Sequence, residues 1–341
     1  MNFNFLTKKE SITKVNQRDL ESKLGEKISY YNNWTEIGQS ESRFVIFGIP
    51  EDIGIRANFG QKGASAAWSA FLDAFLNIQA NGFLLADQIL VAGNIITSDL
   101  MEKANLLNEK NQKDIIALRS LVEQLDERVY EVVSLIVSMG KIPIVIGGGH
   151  NNAFPIISAL KNVLMEKKMA CLNLDPHADF RPLEGRHSGN AFSYAMATQK
   201  LDKYAILGLH ENYNSGSMLN ELDENEQIDY VTFEDIFVHD KRTFMQAVSH
   251  ATGFTEDTLT GIDIDLDGIQ NTLSSAMTPV GITPVHARQY VSFAAADSKV
   301  AYLHICEGAT RLNDGRTDTT SGKLASYLVS DFVKARTPGP A

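Results

Sequence analysis

Apolar residues along the chain fall into short continuous runs, separated by stretches with a three-to-four-residue period. The runs at 43–49, 142–146, 169–174, 204–209, 230–233, 259–264 and 300–305 predict buried strands, with another near 89–91. Trp68, Phe71 and Phe75 share one face of a helix predicted over 64–80. Ile115, Leu118, Val122, Leu125, Val129, Val132 and Ile136 mark the clearest helix, over 114–139, and Gly140 suits its C-terminal stop. Further helices are predicted over 154–166, 240–251, 285–295 and 323–334. Apolar strands alternating with helices specify a parallel sheet covered on both faces. No repeat, low-complexity tract or linker divides the sequence, so residues 42–341 are read as one α/β/α domain. The polar, weakly patterned residues 1–41 are read as an N-terminal extension packed on it.

With 341 residues, 44% apolar and 21% charged, the chain has an ordinary globular composition and length enough for a substantial core. Its formal charge of −11 argues against nucleic acid or an anionic membrane as partner, because both need a basic footprint. Cys171 and Cys306 lie in apolar strand-like runs, which fits reduced thiols and not a disulfide framework. The N-terminus MNFNFLTKKESITK lacks the apolar core of a leader, and no apolar stretch nears the roughly 20 residues that cross a bilayer. A soluble, cytoplasmic protein is expected.

Three polar clusters begin where a predicted strand ends: Gly147-Gly-Gly-His150, Asp175-Pro-His-Ala-Asp179 and Asp263-Ile-Asp-Leu-Asp267. Ligands of open parallel sheets bind beyond the carboxyl ends of strands, so this topology lets all three converge on one crevice. Asp175, His177 and Asp179 alternate, as do Asp263 and Asp265, and alternate side chains of an extended backbone point the same way. Carboxylates gathered in one crevice repel, and a buried unpaired carboxylate is costly. Two divalent cations would offset that charge, with His150 and His177 completing the coordination as neutral imidazoles. Oxygen-rich donors with some imidazole favour Mn2+, with Fe2+, Co2+ or Zn2+ as alternatives. Metals about 3.5–4 Å apart generate hydroxide from a water and orient the group it attacks. Taken singly, the Gly-rich turn would serve equally as a phosphate loop. A nucleotide-binding protein, however, leaves the second and third clusters without a role.

In this order the three clusters resemble the signature of the ureohydrolase superfamily of arginases, agmatinases and formimidoylglutamases. The resemblance runs from Gly48 to the final helix. It includes the opening loop, Gly48-Ile-Pro-Glu-Asp52 with Asn58-Phe-Gly60 and Gly63, and the segment His304-Ile-Cys-Glu307 near the end. It implies a three-layer α/β/α sandwich around a mostly parallel eight-stranded sheet, two Mn2+ ions, and assembly into a homo-oligomer. It also implies hydrolysis of a C–N bond in a small molecule bearing a guanidino or formimino group. By the same resemblance His150, Asp175, Asp179 and Asp263 would hold one metal, and Asp175, His177, Asp263 and Asp265 the other. Asp179 would relay the proton to the departing nitrogen, and Glu307 would contact the substrate's amidine nitrogen.

Departures from the family pattern bear on the substrate. Ser193 stands three residues after Asn190, where arginases carry a proton-shuttling His. His210-Glu-Asn-Tyr213 lacks the carboxylate with which arginases hold the substrate's amino group, and Asp267-Gly-Ile-Gln replaces the usual Asp-Pro. Arginine is therefore a poor candidate. Asp179-Phe-Arg181 followed by Ser188-Gly-Asn-Ala-Phe192 is more similar to formimidoylglutamases, and a guanidinium binds carboxylates bidentately. N-formimidoyl-L-glutamate, cleaved to L-glutamate and formamide in histidine catabolism, is the expected substrate. Arg181, His187, Ser188 and Asn190 are its expected contacts, with specificity set by loops 181–193, 210–215 and 271–284. A structural ion pair is the other role open to Arg181, and Arg186 and His187 in the same loop could share either role. The alternatives are a guanidino hydrolase that releases urea and a catalytically silent homologue.

Overall fold

The computed structural model describes residues 2–165, 167–297 and 299–337; Glu166 and 338–341, which fall in the helix and domain predicted above, lie outside the described residues. The strands are β1 (Phe3–Phe5), β2 (Phe44–Gly48), β3 (Ile89–Ile95), β4 (Ile142–Ile146), β5 (Met169–Leu174), β6 (Lys203–Leu209), β7 (Ile228–Thr232), β8 (Leu259–Asp265) and β9 (Val300–Cys306). They form one sheet in the order β1-β3-β2-β4-β9-β8-β5-β6-β7. β2 to β9 are all parallel, matching the expected eight, and β1 adds a ninth, antiparallel strand at the edge of β3.

Phe44 and Ile46 point to one face of the sheet, Val45 and Phe47 to the other, and both faces are apolar because both are covered. The helices Ala67–Phe75, Phe244–Phe254, Pro284–Ala294 and Ser321–Arg336 form one layer. Gln112–Ser138, Ala153–Val163, Ala191–Ala197 and Gly216–Asp223 form the other. The predicted helix over 240–251 begins later, at Phe244, because Thr243 and Gln246 form a capping box. Asp240, with φ +50, lies in the turn before it. No helix among the described residues is long and apolar enough to cross a membrane.

β1 shows what a pattern search misses. Its three residues are too few for periodicity, yet Phe3 is 9% exposed and its ring packs 4.8 Å from Trp34 and 6.5 Å from Phe47. The pairing also needs Gly93, whose φ of +136 suits only glycine and whose missing Cβ would strike the Asn4 carbonyl. Gly93→Ala is expected to cost roughly 1–3 kcal/mol by strain and overpacking. Urea unfolding would show this as a lower midpoint at unchanged slope; an unchanged midpoint would mean that the edge adapts freely.

The strands β2, β4, β5, β6, β8 and β9 end on one edge of the sheet, at Gly48, Ile146, Leu174, Leu209, Asp265 and Cys306. The polar clusters follow directly from that edge.

Candidate metal centre and substrate crevice

β4 runs into Gly147 and Gly148, both left-handed with φ +86 and +75, a turn that only consecutive glycines make without strain. The turn is bound to the loop after β2 by Glu51. This fully buried carboxylate accepts the N–H of Gly149 at 2.8 Å, of Ile53 at 2.6 Å, and the Asn152 amide at 2.8 Å. His150 is thereby held over the ends of β5 and β8. Its Nδ1 lies 3.0 Å from Asp179 Oδ2, 3.1 Å from Asp175 Oδ2 and 3.3 Å from Asp265 Oδ2. A second group adjoins the first, with His177 Nδ1 3.6 Å from Asp175 Oδ1 and 3.5 Å from Asp267 Oδ2. Asp175 belongs to both groups. Asp265 is tied to the second by its Oδ1, which accepts the Asp267 N–H at 2.9 Å.

The electrostatics are those of crowded acids. Burial, reinforced by neighbouring carboxylates, pushes the Asp179, Asp267 and Glu307 carboxyls above the usual range. Asp175 is equally buried, but its contacts with His150 and His177 hold it below that range. Both ring nitrogens of His150 and Oδ1 of Asp267 are buried without a hydrogen-bond partner. Buried polar atoms seldom stay unpaired. These are imidazole nitrogens and carboxylate oxygens, the donors that hold divalent cations, so the residues present fit a pair of such ions.

The three carboxylates of the third cluster stand at different depths. Asp263 is not beside the crevice; it sits one step deeper on β8, in register with His304. Asp265 ends the strand, and Asp267 lies on the following turn, where it meets His177. All three carboxylates alternate along the sequence, so spacing alone does not say which two reach the edge.

Beyond the cluster opens a crevice of about 320 Å³, into which His177, Asp179, Asp265, Asp267 and Glu307 all project. Glu307 directs Oε1 to the His150 backbone N–H at 2.9 Å. Both Glu307 and Asp179 hold left-handed backbone, with φ +63 and +46, a strained conformation of the kind that concentrates at working sites.

Of the four expected substrate contacts, Arg181 and Ser188 line this crevice. Among the described residues Arg181 makes no ion pair, so its structural alternative is not what the geometry shows. His187 and Asn190 do not line the crevice: both are buried in the loop's own scaffold. His187 Nδ1 accepts the Gly189 N–H at 3.1 Å, and its Nε2 lies 3.1 Å from Glu184; burial pushes its pKa down to about 4. Asn190 accepts from Arg186 Nη1 at 2.8 Å and donates to the Gly185 carbonyl at 2.8 Å. Arg186 is buried on Asp126 at 2.9 Å, and Ser193 donates to the Arg181 carbonyl at 2.7 Å.

Two features escaped sequence reasoning. Asp267 ends the acidic run of the third cluster, two residues beyond the aspartates expected as ligands, and joins Asp175 and His177 in one group. Tyr213 lies in one of the named loops; its ring stacks 5.5 Å from that of His177, and its hydroxyl meets Thr278 at 3.2 Å. Asn214 and Ser275 complete that wall.

The sequence profile of the arginase family matches residues 42–332. A formimidoylglutamase of Streptococcus pyogenes is 25% identical over 299 residues, which is 84% of each chain. The crystal structure of formimidoylglutamase from Bacillus subtilis aligns with a TM-score of 0.74 at 15% identity, covering 94% of this chain and 93% of that one. Formiminoglutamase of Trypanosoma cruzi, crystallised with Mn2+, gives 0.71 at 19% identity, over 94% and 100%. At these identities the structures establish a shared fold.

Proposed function

This chain belongs to the arginase family, and on that premise we propose that it is a two-metal hydrolase converting N-formimidoyl-L-glutamate to L-glutamate and formamide. The observation that carries this reading is the convergence of three carboxylates on His150 Nδ1 within 3.3 Å, adjoining the His177 group. His150, Asp175, Asp179 and Asp265 would hold one cation, and His177 and Asp267, with Asp175, would hold the other. Mn2+ suits that donor set. A bound pair of such ions supplies Lewis acidity and a water-derived nucleophile at neutral pH.

The chain's own groups do the rest. Asp179 takes a proton at the carboxylate oxygen not facing His150 and passes it to the departing nitrogen. Glu307 accepts the His150 N–H at Oε1, which leaves Oε2 for an N–H of the amidine. Arg181 is the sole Arg or Lys among the described lining residues, and it selects a substrate with carboxylates. The relatives named formimidoylglutamase support this choice of substrate. A cytoplasmic homo-oligomer working in histidine catabolism completes the proposal.

The direct test compares formamide and urea release by Mn2+-loaded protein from N-formimidoyl-L-glutamate, arginine, agmatine and guanidinobutyrate. Formamide from the first supports the proposal; urea from a guanidino compound, with no formamide, overturns the choice of substrate. Within it, Arg181→Met is expected to raise KM roughly 10- to 100-fold at nearly constant kcat, the worth of a charged hydrogen-bonded pair. Arg181→Lys should recover little, because an ammonium cannot reproduce the bidentate fork. An unchanged KM in Arg181→Met would assign the carboxylates to other groups.

A further inference from the structure

We propose that Asp263 and His304 form a buried dyad that sets the tautomer and orientation of His150, with Asp263 itself outside the coordination of either metal. The inference rests on the two-cation reading above and deepens it.

β8 and β9 bring Asp263 opposite His304, and both side chains are fully buried. His304 Nδ1 lies 2.9 Å from Asp263 Oδ2, and the same oxygen is 3.4 Å from His150 Nε2. The other carboxylate oxygen, Oδ1, takes the Cys171 thiol at 3.5 Å. Each oxygen of this fully buried carboxylate thus faces a donor group, as a buried charge requires. These contacts lie one strand step below the group of mutually close donor atoms formed by His150, Asp175, Asp179 and Asp265, to which Asp263 does not belong.

A neutral imidazole has one proton for two nitrogens. Nδ1 of His150 faces three carboxylate oxygens of the candidate centre, whereas the carboxylate that Nε2 faces is Asp263. A proton kept at Nε2 by the Asp263 charge 3.4 Å away leaves the Nδ1 lone pair for a cation, whereas a proton at Nδ1 would block it. His304 occupies Asp263 Oδ2 from the far side and keeps the carboxylate turned toward His150. The Phe192 ring, edge-on to His150 at 5.1 Å and 90°, limits rotation of the imidazole. Carboxylates that accept the second N–H of a metal-binding histidine tune affinity in this way, and their loss typically costs 10- to 100-fold.

The test uses the full chain. Mn2+ binding at equilibrium, and 15N shifts of ring-labelled histidine in metal-free protein at a pH high enough to leave the His150 imidazole neutral, are measured for wild type, Asp263→Asn, His304→Gln and Asp265→Asn, because the surrounding carboxylates push the His150 pKa up. Wild type should bind two equivalents and show neutral His150 protonated on Nε2. Asp263→Asn should still bind two at saturation, with one of them 10- to 100-fold weaker and His150 no longer a single tautomer. His304→Gln, which keeps a donor for Asp263, should retain most of the affinity, while Asp265→Asn should lose an equivalent outright. Loss of an equivalent in Asp263→Asn would make Asp263 a ligand and overturn the inference while sparing the two-cation reading. Unchanged affinity and tautomer in that variant would reduce the dyad to packing. If Asp263→Asn does not fold, a wild-type His150 protonated on Nδ1 is enough to overturn the inference. Wild type binding no Mn2+ would overturn it together with the two-cation reading.

Discussion

Asp265→Ala is expected to lower kcat/KM of the Mn2+-loaded protein by roughly a thousandfold or more, while leaving the metal-free fold as stable as before. Asp265 ends β8, is 2% exposed, and lies 3.3 Å from His150 Nδ1. Its Oδ1 also fixes the turn that presents Asp267. It therefore serves both halves of the proposed centre. Losing several kcal/mol of charge stabilisation in the transition state corresponds to about three orders of magnitude in rate. The stability expectation differs from that of most buried substitutions, which destabilise the fold. Without cations, Asp265 repels Asp179, Asp267 and Glu307, and each of those carboxyls is raised partly on its account. Removing it relieves that repulsion. Thermal unfolding with and without Mn2+, together with metal content, checks both halves. A variant that keeps two metals and full activity would sink the ligand assignment.

Arg186→Met is expected to cost about 3–5 kcal/mol of folding stability, by stranding a buried carboxylate. Arg186 is 2% exposed; its Nε lies 2.9 Å from Asp126, and Nη1 and Nη2 reach Asn190 and the Asn151 carbonyl at 2.8 Å each. The guanidinium also lies between the rings of Phe154 and Tyr194, at 4.7 and 4.9 Å from their centroids. Methionine fills the space but pairs with nothing. The pH dependence follows from Asp126, whose carboxyl burial pushes up to about 6 even though Arg186 pulls it down. A carboxyl raised on folding contributes stability below its unfolded pKa, and that contribution fades as pH rises through the folded value. Without Arg186 the folded value climbs further, so the loss continues to grow above pH 6. The variant should therefore be hurt more at pH 7.5 than at pH 5 in urea titrations. A pH-independent deficit would assign the damage to packing alone.

Much of the sheet was legible because parallel strands buried on both faces are written as continuous apolar runs, as in β4, β5, β8 and β9. The places where those runs stop marked the three clusters. β1 was illegible, since two phenylalanines in three residues carry no period and its partners, Trp34 and Gly93, are distant in sequence. That the proposed centre takes Asp267 in place of Asp263 has a different reason. Alternation states which face a side chain takes, whereas the end of hydrogen bonding at Asp265 decides which one meets His177. His187 and Asn190 have the composition of a binding loop, but their hydrogen bonds turn inward onto Arg186, Gly189 and Gly185. A sequence does not distinguish a polar side chain that binds a ligand from one that shapes the loop around it.

The position of bound metal decides the assignment of the centre. A crystal of the full chain grown with Mn2+ and measured at the manganese absorption edge would locate it without assumptions about the substrate. Two anomalous peaks should flank Asp175, one against His150 Nδ1, Asp179 and Asp265, the other against His177 and Asp267, with Asp263 reaching neither. A single peak, or a second one bound by Asp263 in place of Asp267, would contradict the proposed centre.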